Sequence, residues 1–233
     1  MKRLAFALLM AVAMVPAGVL AGNTGGPIPV NVYVASPVLP VGLKRVLLLP
    51  FACENPNNNL SGGCQTLDPV LQQELTKTGR FEIVSANPET LRTCTGSLSW
   101  TGDEVLPGNF FESLRHVYAC DAVLFCELTR FRPDPPLAIG LRLKLADAST
   151  GKILWSTDEV FDAGNLDVAK SAQEYEKMRQ PHHNFAYNVY SFFAWCVNTP
   201  TRSALDDQWN ILNSPRLFGQ YCMETLLQTL PPR

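Results

Sequence analysis

The sequence predicts an α/β fold: a mixed sheet of βαβ crossover units plus a C-terminal β-hairpin, flanked by helices, with an α-helical tail. Three observations carry that expectation. Val46-Leu47-Leu48-Leu49-Pro50-Phe51 is a short unbroken apolar run, as in a strand buried on both faces. A punctuated helix and a second short strand, Arg80-Phe81-Glu82-Ile83-Val84, follow it. Strand, helix, strand is the right-handed crossover unit, so these two strands should run parallel. Further on, Leu137, Ile139, Leu141, Leu143 and Leu145 alternate with Ala138, Gly140, Arg142, Lys144 and Ala146. That is the period-two pattern of a half-buried strand, and its return strand makes the hairpin.

The elements follow in chain order. Lys2 and Arg3 precede an uncharged, mostly apolar run from Leu4 to Leu20, and Val19-Leu20-Ala21 places small residues before Gly22. This is the pattern of a secretory signal peptide over residues 1–21. Leu20-Ala21-Gly22 opens a bacterial lipobox, but Asn23 stands where acylation needs a cysteine thiol. The expectation is an exported protein, periplasmic or outer-membrane-associated and not lipidated. Residues 22–43 are rich in Gly, Pro and Val and read as an extended arm or linker. Within them Val30, Val32 and Val34 alternate with Asn31 and Tyr33, which suits a short edge strand.

Residues 44–162 read as one α/β domain. After the first strand, Asp68 reads as a helix N-cap, Pro69 as the first helical residue and Gly79 as the stop. Leu67, Val70, Leu71 and Leu75 fall on one face of that helix. Asn87-Pro88 begins a short helical turn, and Thr93 to Pro107 is loop-like. Asn109 is placed to cap a helix running to about Tyr118, with Phe110, Leu114 and Val117 or Tyr118 inward. Asp121 to Leu128 reads as the third strand of the parallel part. Asp147 to Gly151 supplies turn chemistry, and Lys152 to Ser156 opens the return strand, where Trp155 is expected to pack across strands. Residues 163–233 read as a helical C-terminal extension packing on the domain. It has a weakly amphipathic helix from Asn165 to Gln180 and a last helix from Ser214-Pro215 to Pro231-Pro232.

The net charge of -2 over 233 residues lacks the basic face of a nucleic-acid binder. After the leader no apolar run approaches the roughly 20 residues of a membrane helix, so no transmembrane helix is expected in the mature chain. There is no Gly-x-Ser-x-Gly elbow and no phosphate-binding Walker loop. His116, His182 and His183 are the three histidines, and no Cys-x-x-Cys occurs. No catalytic, cofactor-binding or metal residue is therefore assigned, and no cofactor is expected.

The chain has seven cysteines, many for an exported protein of this size. Cys53 and Cys64 bracket a loop containing Asn57, Asn58 and Asn59 and the Gly62-Gly63 pair, and a disulfide closing it suits an oxidising compartment. Cys94, Cys120, Cys196 and Cys222 are rival partners. Cys120 and Cys126 do not suit each other, because six residues of extended chain span roughly 20 Å.

Two segments are candidate partner contacts. Asn57, Asn58 and Asn59 lie beyond the carboxyl end of the first strand, where open α/β sheets bind ligands. Tyr187, Tyr190, Phe193 and Trp195 belong to an aromatic segment running from Phe185 to Trp195, and aromatic anchors dominate interface hot spots. The same rings also suit simple packing of the tail onto the core. Both readings stand on the sequence.

The order Val46-Leu47-Leu48-Leu49-Pro50-Phe51, Thr78-Gly79-Arg80-Phe81-Glu82-Ile83-Val84, Cys120-Asp121-Ala122-Val123-Leu124 and Leu143-x-Leu145-x-Asp147-x-x-Thr150-Gly151-x-x-Leu154-Trp155 resembles the envelope α/β module of TolB amino-terminal-like domains. Curli secretion proteins (CsgG-like) and lipoprotein activators of penicillin-binding proteins (LpoB-like) are similar. The resemblance covers roughly residues 44–162. It implies an exported, non-enzymatic protein of the bacterial cell envelope, acting through an envelope protein partner and open to homo-oligomerisation. Two alternatives remain beside it: a subunit of a CsgG-like secretion or outer-membrane complex, and a hydrolase with an unrecognised site.

Overall fold

The computed structural model describes residues 29, 31–53, 58–179 and 210–233. The leader, Asn57, Tyr187, Tyr190, Phe193 and Trp195 lie outside the described residues. Among the described residues the elements are β1 (Val32–Val34), β2 (Arg45–Leu48), α1 (Asn58–Lys77), β3 (Glu82–Ser85), α2 (Pro88–Thr95), α3 (Phe110–Tyr118), β4 (Ala122–Arg132), β5 (Ala138–Asp147), β6 (Ile153–Asp162), α4 (Leu166–Arg179) and α5 (Pro215–Leu227).

The six strands form one open mixed sheet in the order β1-β6-β5-β4-β2-β3. β2 runs parallel to both β3 and β4, as crossover units require. β4, β5, β6 and β1 are antiparallel in sequence along the other half. The sheet is thus split by chemistry. Its parallel half reads as continuous apolar sequence because both faces are covered. Val46 and Leu48 enter one core cluster, while Leu47 and Leu49 enter the other.

The larger cluster lies between the sheet and helices α1 and α5. Leu67, Leu71 and Leu75 meet Phe218, Tyr221 and Leu226 over Leu124, Leu141, Leu143 and Trp155. Gly219 lets α1 and α5 come together, since a Cβ there would overlap the Leu67 side chain. Trp155 is fully buried opposite Leu145, and its indole donates to Thr229 Oγ1 at 3.1 Å. The smaller cluster lies under α2 and α3, where Phe110 stacks on Phe125 with ring centroids 5.9 Å apart.

Local chemistry explains most boundaries. Asn87 caps α2 by accepting from Glu89 N and Thr90 N, and Gly96 ends it at φ 93°. Gly79 takes φ +62° after α1. Asp121 Oδ2 accepts from Lys44 N and Arg45 N at 2.9 Å each, tying the start of β4 to the start of β2. Asp147 Oδ1 accepts from Ser149 N and Thr150 N and so builds the β5–β6 turn. Ser214 caps α5 through Leu217 N.

Three expectations are corrected. First, Asp68 is not an N-cap, because α1 begins ten residues earlier and carries Pro69 inside it. The Asp68 carboxylate instead accepts from Phe51 N at 3.2 Å, and the preceding turns are held by Leu60, Cys64 and Leu67 against the core. Second, Asn109 occupies the N-cap position of α3 but its side chain makes no cap bond. The chain enters through a turn in which Phe110 N donates to Pro107 O. Of the two residues left as alternatives at the end of α3, Tyr118 packs inward and Val117 is 46% exposed. Third, the segment read as an arm is partly packed, contributing the expected edge strand together with two buried leucines. β1 adds to the sheet edge, and Leu39 and Leu43 are buried in the larger cluster. Leu39 N donates to Pro232 O, so this segment and the C-terminal tail hold each other.

Candidate functional site

Helices α2 and α3 cover only the parallel half of their face of the sheet. Along β4 the residues on that face are Val123, Phe125 and then Glu127. The first two pack under α3, whereas Glu127, itself buried, lies at the margin of a more open region. Register fixes what lies beside it. Glu127 pairs with Arg142 of β5, and Arg142 pairs with Asp158 of β6, so one row across three strands alternates acid, base, acid. The next row brings Lys144 beside Ser156, and Ser156 pairs with Tyr33 of β1.

Arg142 is the hub. Its Nη1 lies 3.1 Å from Glu127 Oε2 and 3.1 Å from Asp103 Oδ2, and its Nε lies 2.9 Å from Asp158 Oδ2. Asp103 comes from the loop between α2 and α3 and also accepts from Lys144 Nζ. Three carboxylates therefore share two cations. The Lys144 hydrogen bond, helped by the charges of Lys144 and Arg142, holds the Asp103 carboxyl below its ordinary value. Burial works against the charge on Arg142. The Asp158 hydrogen bond and the charges of Glu127, Asp158 and Asp103 outweigh it and hold the guanidinium above its ordinary value.

Beside this row is an open depression of about 540 Å³, walled by Asn31, Tyr33, Asp103, Lys144, Ser156 and Asp158. Tyr33 is 55% exposed on its rim. β1 is the edge strand of the sheet. Asn31 O and Ala35 N bond to β6, so by the alternation of an antiparallel ladder the peptide groups of Val32 and Val34 face away from it. Among the described residues, an aromatic side chain, an internally paired charged floor and an unpaired strand edge thus adjoin one another. Such a surface suits a broad contact, with the edge available for strand addition.

The residues singled out from sequence are distributed differently. Cys53 and Cys64, separated by 11 residues, are bridged. Asn58 and Asn59 form the first turn of α1, and the structure describes only their backbone. His116 lies in the last turn of α3. Among the described residues, no group of three or more His, Cys, Asp or Glu side chains is placed to hold a metal ion, and no helix is long and apolar enough to cross a membrane. The Cys120 thiol is pushed up to about 11 by burial.

Sequence reading missed the Glu127–Arg142–Asp158 row and Asp103. A signal existed, namely a carboxylate inside the apolar run Ala122 to Leu128, two strands from a second carboxylate and with an arginine between them. Using it needed the strand register.

No protein-family model matches the sequence, and no curated protein matches it. Several solved structures are similar to it. Lipoprotein GNA1162 from Neisseria meningitidis has a TM-score of 0.38 and 18% identity, over 67% of this chain and 99% of that one. The PelC dodecamer from Paraburkholderia phytofirmans has a TM-score of 0.38 and 15% identity, over 61% of this chain and 93% of that one. The LpoB C-terminal domain from Escherichia coli has a TM-score of 0.33 and 20% identity, over 51% of this chain and 82% of that one.

Proposed function

We propose that the protein is a non-enzymatic interaction module of the bacterial cell envelope, exported by its leader and working through a protein partner. The partner docks on the open face of the antiparallel half-sheet and along the edge of β1. The observation that carries this reading is the incomplete helical cover. Among the described residues, α2 and α3 leave Tyr33, Ser156, Lys144, Arg142 and Asp158 uncovered beside an unpaired edge. The charges there are already paired with one another across 2.9–3.1 Å contacts, with one carboxylate in excess. A partner that excludes water from them strands no isolated ion, which is the usual penalty of burying charge at an interface. Tyr33 supplies the aromatic body that hot spots favour.

The aromatic segment Phe185 to Trp195 is a second contact in this reading. Its stems meet in the fold. Glu176 of α4 accepts from Ile211 N at 3.3 Å, so the chain leaves and returns at one place.

Affinity capture from native envelope fractions tests the proposal, comparing the wild-type protein with Tyr33→Ala. The expected result is an envelope protein retained by the wild type and lost by a variant of unchanged Tm. Equal capture by both proteins contradicts the assignment of the face. Light scattering on the purified protein separates a homo-oligomeric assembly from a complex with a different protein.

A further inference from the structure

We propose that Cys53–Cys64 is a thiol–disulfide exchange site whose state sets where α1 begins. The helix has two unlike parts. From Val70 onward it is anchored by Val70, Leu71 and Leu75, all buried. Before Pro69 it rests on the buried Leu67 and the part-buried Leu60 and Cys64, contains Gly62 and Gly63, has no acidic residue in its first turn and is tied by the bridge to Cys53, in the segment that follows β2. Pro69 has no N–H to give the Gln65 carbonyl, so the helical ladder is already interrupted at the joint. Asp68-Pro69 is also a complete helix-start signal. Asp68 already accepts from Phe51 N at 3.2 Å, a contact that does not involve either cysteine. The sequence therefore encodes two starts for one helix, and the bridge selects the earlier.

Both bridged cysteines are part-exposed, as is the unbridged Cys94, whereas Cys120, Cys126 and Cys222 are buried thiols. The site is thus open to a dithiol oxidoreductase or a small dithiol. One thiolate of the reductant attacks a sulfur of the bridge and forms a mixed disulfide. Its second thiol then closes the reductant's own disulfide and releases both protein thiols. The bridge gains two electrons and two protons, and the reductant loses the same. Release of residues 58–67 uncovers the end of β4. The backbone at Gly63 lies so close there that a Cβ on it would sit 2.6 Å from Phe131 Cγ and 2.7 Å from Leu128 Cδ2. Reduction therefore exposes an apolar surface that the oxidised protein hides.

Hydrogen–deuterium exchange of the full chain tests this, comparing the oxidised protein, the protein in dithiothreitol, and Cys53→Ser/Cys64→Ser without reductant. Amides of residues 58–67 should exchange faster by on the order of a hundredfold in both bridge-free samples, the factor implied by the entropy of closing a loop this size. Amides of residues 70–77 should not change. Unchanged exchange at 58–67 would mean that packing alone holds the extension, and overturns the proposal. Loss of protection through 70–77 and β2 would mean that the bridge holds the whole domain, and overturns it equally. Finding Cys53 and Cys64 as free thiols in the exported protein overturns it at the first step.

Discussion

Glu127 and Arg142 stand directly opposite each other in β4 and β5, with 3.1 Å between Glu127 Oε2 and Arg142 Nη1. The Glu127 side chain is only 4% exposed, so the pair also specifies register. A one-residue slip of β5 would turn Arg142 to the other face of the sheet and leave the carboxylate facing an apolar neighbour.

Replacing Arg142 by alanine is expected to cost about 2 kcal/mol. This is below the range for breaking a fully buried pair, because the Arg142 side chain is itself 29% exposed. Urea denaturation reads it directly. Glu127→Gln should cost less, since the amide still accepts from the guanidinium. The reverse order of the two variants would show that Arg142 is not the hub of the cluster.

The Asp103 carboxyl is held below its ordinary 3.8, first by the Lys144 hydrogen bond. A depressed folded value adds stability above the unfolded value and loses it as pH falls through the folded one. Wild type should therefore exceed Asp103→Asn at neutral pH, with the gap closing only below pH 3.8. Asp103 is 56% exposed, so the gap should stay under about 1 kcal/mol. Denaturation midpoints of both proteins between neutral and strongly acid pH check the sign. A gap that widens on acidification contradicts it.

Gly219→Ala should destabilise by about 2 kcal/mol, because the new methyl meets Leu67 where α1 and α5 cross. Pairing it with Leu67→Ala should recover part of the loss, since the shorter side chain vacates the space. Thermal unfolding of the two single variants and the double variant measures that coupling. Strict additivity would mean the two residues do not share the contact.

Tyr187→Ala and Tyr190→Ala separate the two readings of the aromatic segment. If the rings face a partner, Tm stays nearly unchanged and partner capture weakens. A loss of roughly 3 kcal/mol or more, as in truncation of aromatic core residues, assigns the segment to the core instead.

The sheet and most helices were legible because hydrophobic periodicity and end signals are local. The β2 run, the Asp147–Gly151 turn and Ser214-Pro215 each encode their element within a few residues. The start of α1 was not legible, because a sound local start at Asp68-Pro69 is overridden by long-range contacts, the Cys53–Cys64 bridge together with Leu60 and Cys64 on the core and Gly63 against β4. The charged row was missed for a related reason. Glu127, Arg142 and Asp158 are 15 and 16 residues apart, and only register brings them together. Past the row the register shifts between Leu128 and Arg130, and β4 runs on to Arg132, beyond the Leu128 end that periodicity indicates. Asp103 reaches the row from a loop with no periodic signal.

The claim that the open half-sheet is a docking face is tested most directly by site-specific photocrosslinking in the native envelope. A photoreactive side chain is placed at Tyr33 or Ser156 on that face, and at Val117 on the outer side of α3 as the control. The account predicts that positions 33 and 156 crosslink to the same envelope protein while position 117 does not. Crosslinks at position 117 with none at 33 or 156 would contradict it.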